Sequence, residues 1–283
     1  MGTRVLILGG GGLLGRALLR HVPAHAEAIA PSRTDLPLED TAKIRARVQS
    51  DGIREVILTA AWTRVDDCEA DPDRAFLING HLPGRLAAAL APLGVPLTFL
   101  STDYVFDGNG RRPYREYDPA APRGVYAQSK WYGECAVRET SAEYRIVRSS
   151  GLYGEGGPDF VTAIAERLAR GPVSVVNDQT VAPTWVDDLA PALWKIALSG
   201  FRGTIHAAAS GETTWFLFAR ELARGLGYSE ERVQPTTTEA FNRPAPRPAY
   251  SILDTQRLRT DLGIALLGWQ EGLARRVAEI HSA

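Results

Sequence analysis

The chain is expected to be an α/β protein, a doubly wound parallel sheet joined to a smaller, interleaved C-terminal domain. Three observations carry this. The β-branched and leucine run at 5–8 ends on glycine, and leucines 13, 14, 18 and 19 follow at helical spacing. Strand-then-helix units then repeat through the first half of the chain, and beyond residue 150 the rhythm breaks into irregular segments rich in glycine and proline. Repeated βα units need crossover connections, so neighbouring strands run parallel and helices cover both faces.

Taken in order, strand 5–8 leads through a glycine turn into a helix over 12–21. A second strand at 26–30 is followed by a helix at 41–49. A third strand at 55–60 precedes helical stretches at 72–79 and 83–92, and the apolar run 96–101 is the fourth strand. The spacing predicts a long helix over 125–141 and a fifth strand at 144–148 with arginine at its end. Residues 173–177 are expected to return to the sheet, with 185–198 as their helix. The sheet body is therefore assigned 1–150 with 173–200, and the second domain 151–172 with 201–283. Glycine and proline at 154, 156–158, 171 and 172, and the stretch NRPAPRP at 242–248, mark that second domain as the cover of the sheet's ligand edge. No internal repeat is visible.

With 283 residues, 45% of them apolar, the chain can bury a sizeable core. Its 32 basic and 33 acidic side chains nearly cancel, which removes any overall electrostatic reason to bind nucleic acid or an anionic membrane. An anionic ligand must be held locally. Cys68 and Cys135 form no CxxC, and the histidines at 21, 25, 81, 206 and 281 have no metal-ligand spacing, so no catalytic metal is expected. The start MGTRVLILGGGG lacks a small-residue cleavage site, and no apolar stretch approaches the roughly 18–20 residues needed to span a bilayer. A reducing cytoplasm is the expected location.

GGGGLLG at 9–15 fits GxxGxxG through Gly9, Gly12 and Gly15, and equally GxGxxG through Gly10, Gly12 and Gly15. Glycines here allow a tight turn and let a pyrophosphate approach free amides at the helix start, where Leu13 and Leu14 follow. Between the first strand and the first helix, the loop points to a Rossmann-like dinucleotide site. After the second strand stand Ser32 and Arg33, with no acid to take ribose hydroxyls. That pair suits a 2′-phosphate, which favours NADPH and leaves NADH as the alternative.

The fourth strand runs straight into STDYVFDG at 101–108. A strand of an open α/β sheet that ends on Thr102 presents its hydroxyl to the ligand crevice. YAQSK at 126–130 sets Tyr126 and Lys130 four apart on one helix face. Tyrosine, with a pKa near ~10, exchanges protons poorly at neutrality, and an adjacent ammonium is expected to lower that value. The expected division of labour is Tyr126 for proton transfer, Lys130 for tuning and for the nicotinamide ribose, and Thr102 for the substrate oxygen.

These motifs, with TAAWTRVDDCE (59–69), NDQTVAPT (177–184), GETTWFLFA (211–219), RPAYSILDT (247–255) and GWQEGL (268–273), cover nearly the whole chain. Together they resemble the extended short-chain dehydrogenase/reductases, and within them the dTDP-4-dehydrorhamnose reductase family. The resemblance implies NADPH-dependent reduction of the 4-keto group of dTDP-4-dehydro-β-L-rhamnose, with Thr102, Tyr126 and Lys130 as the catalytic set. It implies that Ala60, Ala61 and Trp62 pass the cofactor's phosphates and ribose and that Asn79 orders the site. Asp103, Val105, Phe106, Tyr153 and Arg247 are expected against the nucleotide-sugar substrate, Arg247 by gripping its diphosphate.

Two departures from the family stand out. The family often reads Arg-Thr-Ser-Trp after the fifth strand, whereas residues 148–151 are Arg-Ser-Ser-Gly, so Gly151 removes an aromatic wall that Tyr153 or Trp62 is left to fill. Some members are metal-bridged dimers that use a glutamate of the first helix. Here that helix carries Arg16 and Ala17, so no such metal is expected, and a homodimer stays open. Trp185, Trp194, Trp215 and Trp269 are expected to be packing residues, and Asp187 and Asp188 to begin a helix.

Rival readings share the fold. A sugar-nucleotide dehydratase would carry Thr-Asp-Glu where this chain has Thr102-Asp103-Tyr104, and an epimerase would retain its NAD through the cycle. A non-catalytic NADP-binding regulator like the beta subunit of methionine adenosyltransferase shares STDYVFDG and YxxxK. Only its partner and its lack of turnover would separate it.

Overall fold

The computed structural model describes residues 2–140 and 143–282. Its centre is a six-stranded parallel sheet in which β1 (Thr3–Leu8), β2 (Ala26–Ile29), β3 (Glu55–Leu58), β4 (Leu97–Thr102) and β5 (Tyr144–Ser149) are joined by Gly203–His206. The spatial order is 203–206, β5, β4, β3, β1, β2, every neighbouring pair parallel. The chain therefore reverses direction across the sheet between β1 and β3, and that switch point opens a crevice at the strands' carboxyl ends.

Both faces of the sheet are buried, as its strands' nearly continuous apolar runs require. Val5, Ile7 and Ile57 face one core with α1 (Leu13–Arg20) and α8 (Val186–Leu198), where Trp194 lies fully buried and donates from Nε1 to the Leu18 carbonyl at 2.9 Å. Leu6, Leu8, Val56 and Leu58 point the other way, against α2 (Thr41–Ser50), α5 (Leu82–Leu90) and Val137 of α6 (Val125–Thr140). The predicted end of α6 at Ser141 lies outside the described residues. The helical stretch expected at 72–79 is two short pieces, α4 (Pro72–Phe76) and a π turn, Leu77–His81, that runs into α5, and an unpredicted α3 (Val65–Ala70) precedes them.

One expected strand goes elsewhere. Val173–Val176 does not join the central sheet; it pairs in parallel with Val233–Thr236, and the sheet's sixth place is taken by Gly203–His206. The apolar alternation of 173–176 suits either partner, and burial decides between them. Val173 and Val175 pack with Val161, Ile164 and Leu168 of α7 (Phe160–Arg170) and with Phe218 and Leu222 of α9 (Trp215–Gly225), forming a second core. The helix expected at 185–198 does lie on the sheet, as α8 against α1.

The helix that carries YAQSK is fixed by a buried carboxylate. Glu134 of α6 accepts Nε and Nη2 of Arg148 at 2.9 and 2.7 Å, the Ser101 hydroxyl at 2.6 Å and Arg138 at 2.6 Å. Arg148, only 1% exposed, also lies 5.1 Å from the Phe106 ring. The pair thus binds α6 to the last residues of β4 and β5 together. Removing one member of a buried ion pair strands the other, at a cost of ~3–5 kcal/mol. Glu134→Ala is expected to lower unfolding free energy by about that amount, read from urea midpoints at unchanged m, and Glu134→Gln by less.

No helix among the described residues is long and apolar enough to cross a membrane.

Candidate active site

A cavity of about 800 Å³ opens at the switch point. Its floor is the glycine turn between β1 and α1. Gly9 sits at φ 103°, and a Cβ there would meet the Ala60 nitrogen at 2.5 Å; a Cβ on Gly15 would lie 2.1 Å from the Gly9 carbonyl oxygen. Both positions therefore admit only glycine. Gly12 is different: its amide closes the turn onto Gly9 O at 3.0 Å, and a Cβ would clear the protein at 3.4 Å. As the extended N-cap of α1 it has no capping side chain, so first-turn amides face the cavity. Gly10 is crowded as well, its Cβ falling 2.7 Å from that of Ala30, so the first glycine of either spacing and the shared last one are fixed by the fold, and Gly12 is left for whatever approaches the helix start. Leu13 and Leu14 line the same space.

Ser32 and Arg33 also border this cavity. Arg33 is three-quarters exposed and paired with Glu39 at 3.1 Å, and the Ser32 hydroxyl donates to Asp35 at 2.6 Å. An acid does therefore reach this rim, supplied by Glu39 rather than by the strand end. On the opposite wall stand Ala60, Ala61 and Trp62. The Trp62 ring lies under Arg74 at 4.8 Å, a residue that no motif marked and that also lines the cavity.

Asn79 acts behind that wall. From the π turn its Oδ1 accepts the Trp62 amide at 2.8 Å, while Nδ2 donates to the Trp62 carbonyl at 3.0 Å and to Ser129 Oγ at 3.1 Å. It holds the loop after β3 onto α6 and, being 1% exposed, does not line the cavity.

Thr102, Asp103, Tyr104, Tyr126 and Lys130 meet along one side of the cavity. The Thr102 hydroxyl donates to Asp103 Oδ1 at 3.0 Å and accepts the Tyr104 amide at 3.2 Å. The Tyr104 and Tyr126 rings pack edge to face with centroids 6.1 Å apart. Lys130 Nζ donates to the Leu100 carbonyl at 2.7 Å and lies 4.1 Å from the Phe99 ring centre.

Burial sets the electrostatics. It pushes the Asp103 carboxyl up to about 6 and the Lys130 ammonium down to about 7. The Tyr126 phenol moves above its ordinary value, chiefly through burial and then through the Asp103 charge. The predicted lowering of Tyr126 by its lysine is thus reversed by burial.

Three substrate assignments are overturned, those of Val105, Phe106 and Tyr153, and a fourth, Arg247, moves to a different cavity. Val105 and Phe106 are fully buried and pack with Tyr114 and Leu253, beyond the cavity wall. Tyr153 is buried against Phe218 at 5.4 Å and so cannot replace the missing wall at Gly151. Arg247 does not line the main cavity; it pairs with Asp66 at 2.8 and 2.9 Å beside a second cavity of about 280 Å³. Among the tryptophans, Trp194 and Trp269 are core residues, whereas Trp215 lines both cavities.

Residues 3–282 match the family model described as the RmlD substrate binding domain. The chain belongs to this RmlD family. Its relatives include a dTDP-4-dehydrorhamnose reductase of Streptomyces griseus, 41% identical over 95% of this chain and 91% of the relative. A probable dTDP-4,6-dihydroxy-2-methyloxan-3-one 4-ketoreductase of Streptomyces antibioticus is 40% identical over 99% and 96%. A crystal structure of the dTDP-4-dehydrorhamnose reductase of Bacillus anthracis in complex with NADP superimposes at TM-score 0.94, with 34% identity over 99% of this chain and 100% of that one.

Within this RmlD-family site, Gly15→Ala is expected to abolish NADPH binding and lower Tm, while Gly11→Ala, whose Cβ meets nothing within 4 Å, leaves Tm unchanged. Fluorescence titration and calorimetry check the pair. Lys130 adds a pH dependence. Its pKa is about 7 in the fold and about 10.4 unfolded, so between these values the unfolded chain holds more protons and stability falls as pH is lowered. Lys130→Met is therefore expected to gain Tm over wild type, most near pH ~6 and least near pH ~10, while losing activity.

Proposed function

We propose that the protein reduces the 4-keto group of dTDP-4-dehydro-β-L-rhamnose with NADPH, giving dTDP-L-rhamnose. The observation that carries this is the convergence of Thr102, Tyr126 and Lys130 on the cavity that the glycine turn opens. The residues fit the cofactor. Gly9 and Gly15 make a cradle in which a Cβ has no room, and α1 offers uncapped amides for a pyrophosphate. Ser32 and Arg33 stand where a 2′-phosphate would lie, and it would draw Arg33 from Glu39. When bound in this cradle, NADPH would supply the hydride for sugar C4.

The chain's own residues manage the proton. With its pKa raised, Tyr126 keeps its phenolic proton throughout the neutral range, the form required to donate to the developing alkoxide at the ketone oxygen. Lys130, one helical turn on, then offsets the phenolate as an ammonium, and the new negative charge favours its protonation against the lowering that burial imposes. Thr102 can turn its hydroxyl from Asp103 to the substrate oxygen once Asp103 is protonated or displaced. Cytoplasmic operation accords with a soluble cofactor and a nucleotide-sugar substrate.

A second reading concerns the sugar alone. The 40% identical Streptomyces antibioticus relative bears the name of a different dTDP-sugar 4-ketoreductase, and the wall beside Gly151 differs from the Arg-Thr-Ser-Trp pattern, with the Trp215 indole in the space a side chain at 151 would take. Both keto sugars should be assayed by loss of reduced-nicotinamide absorbance, with NADPH and with NADH. Turnover is expected with NADPH preferred, and Tyr126→Phe is expected to cut kcat by ~10²–10⁴ at unchanged Tm. An undiminished rate in that variant would remove Tyr126 from its role; no turnover of any keto sugar would return the regulator reading.

A further inference from the structure

Among the described residues, one side chain borders both cavities: Trp215. The main cavity holds Thr102, Tyr126 and Lys130, and the second brings together the guanidinium-bearing residues Arg167, Arg243 and Arg247. A ligand with a carbonyl at Tyr126 and a diphosphate at these arginines must pass the indole between them.

The indole is held for such a contact. Trp215 opens α9, whose N-cap Thr214 accepts the Leu217 amide at 3.2 Å and donates to Asn177 Oδ1 at 2.7 Å. One side of the ring packs on Phe160 at 4.4 Å, and its edge meets Phe218 at 6.1 Å. The remainder is half-buried, unlike Trp194 and Trp269, which the core covers. Across from it Gly151 stands at φ 52°, and a Cβ there would come within 3.2 Å of Trp215 Cη2 and 3.1 Å of Pro183 Cα. The space beside Gly151 is therefore already filled by the indole, and a side chain at 151 would displace it.

We infer that Trp215 is the specificity-determining wall for the hexose, an aromatic plate against which the C–H face of the sugar lies between the reacting ketone and the diphosphate. An aromatic plate suits the C–H face of a deoxyhexose. The inference rests on the nucleotide-sugar reading above and adds the residue that selects the sugar.

The test compares wild type with Trp215→Ala, Trp215→Phe and Trp215→Leu, the last keeping apolar bulk against Phe160 without a flat ring. KM and kcat for the keto sugar are measured at saturating NADPH, together with the affinities of dTDP-L-rhamnose, dTDP and NADPH. For the Ala and Leu variants, KM for the keto sugar is expected to rise and dTDP-L-rhamnose affinity to fall by about tenfold or more, with dTDP and NADPH held within about twofold. Phe should restore most of the loss. Equal loss of dTDP-L-rhamnose and dTDP would assign Trp215 to the nucleotide instead, and an unchanged sugar affinity in the Leu variant would end the inference while the proposed reaction stands. Wild type that binds neither the sugar nucleotide nor its product fails at the earlier step, and the inference falls with it.

Discussion

Everything the site does depends on a carboxylate that never touches it. Glu134 lies on the same face of α6 as Tyr126, Lys130 and Arg138, successive residues four apart, and it gathers Ser101 of β4 and Arg148 of β5 around one buried charge. Apolar packing would let a helix slide along a sheet at modest cost. A buried ion pair with every oxygen engaged leaves one register, because any other strands a charge in low dielectric. The functional hydroxyl, phenol and ammonium inherit their mutual placement from that register: Thr102 follows Ser101, and Lys130 precedes Glu134 by one turn.

The same burial that fixes the helix prepares its chemistry. Lys130 is so enclosed that it holds its proton weakly, and Tyr126 holds its own tightly. Charge arrives with the ligands. The phosphates meet helix amides and rim arginines, and the transferred proton creates the anion that Lys130 is placed to face. Asp66 extends this economy to the second cavity, where it neutralises Arg247 and contacts Arg243 until an anion competes for them.

Local patterns made the sheet body legible. The strand–glycine–helix opening, the βα repetition and the YxxxK face all depend on spacing over a few residues, and apart from the helix at 72–79, which breaks into α4 and a π turn, the elements they predicted are present with ends shifted by a residue or two. Choices between distant partners were not legible. Val173–Val176 suits two sheets equally, and a partner 60 positions along the chain, Val233–Thr236, decides the matter. Adjacency to a motif misled at Val105 and Phe106, because a short 3₁₀ turn, Asp103–Val105, swings them into the core just after Thr102. Arg247 found Asp66, 181 positions away, and no signal near either residue announces it. The direction of the Tyr126 shift was missed for a related reason: a neighbouring lysine can be read from spacing, but enclosure cannot.

The π turn at Leu77–His81 inserts one extra residue into an otherwise α-helical rod. Each α-helical residue advances the rod by ~100°, so the pieces before and after the turn are out of phase by that angle. Upstream, Phe76 meets the Tyr132 ring of α6; downstream, α5 must present Gly84 to Ala136 of α6 and Leu82, Leu86 and Leu90 to the sheet core at once, and the carboxamide of Asn79 sits at the seam. Losing a single residue there would restore a regular helix and, in doing so, rotate one half of the rod off its partner. At this place in the molecule regularity itself is the defect, and the irregular count is what lets two surfaces be satisfied by one continuous helix.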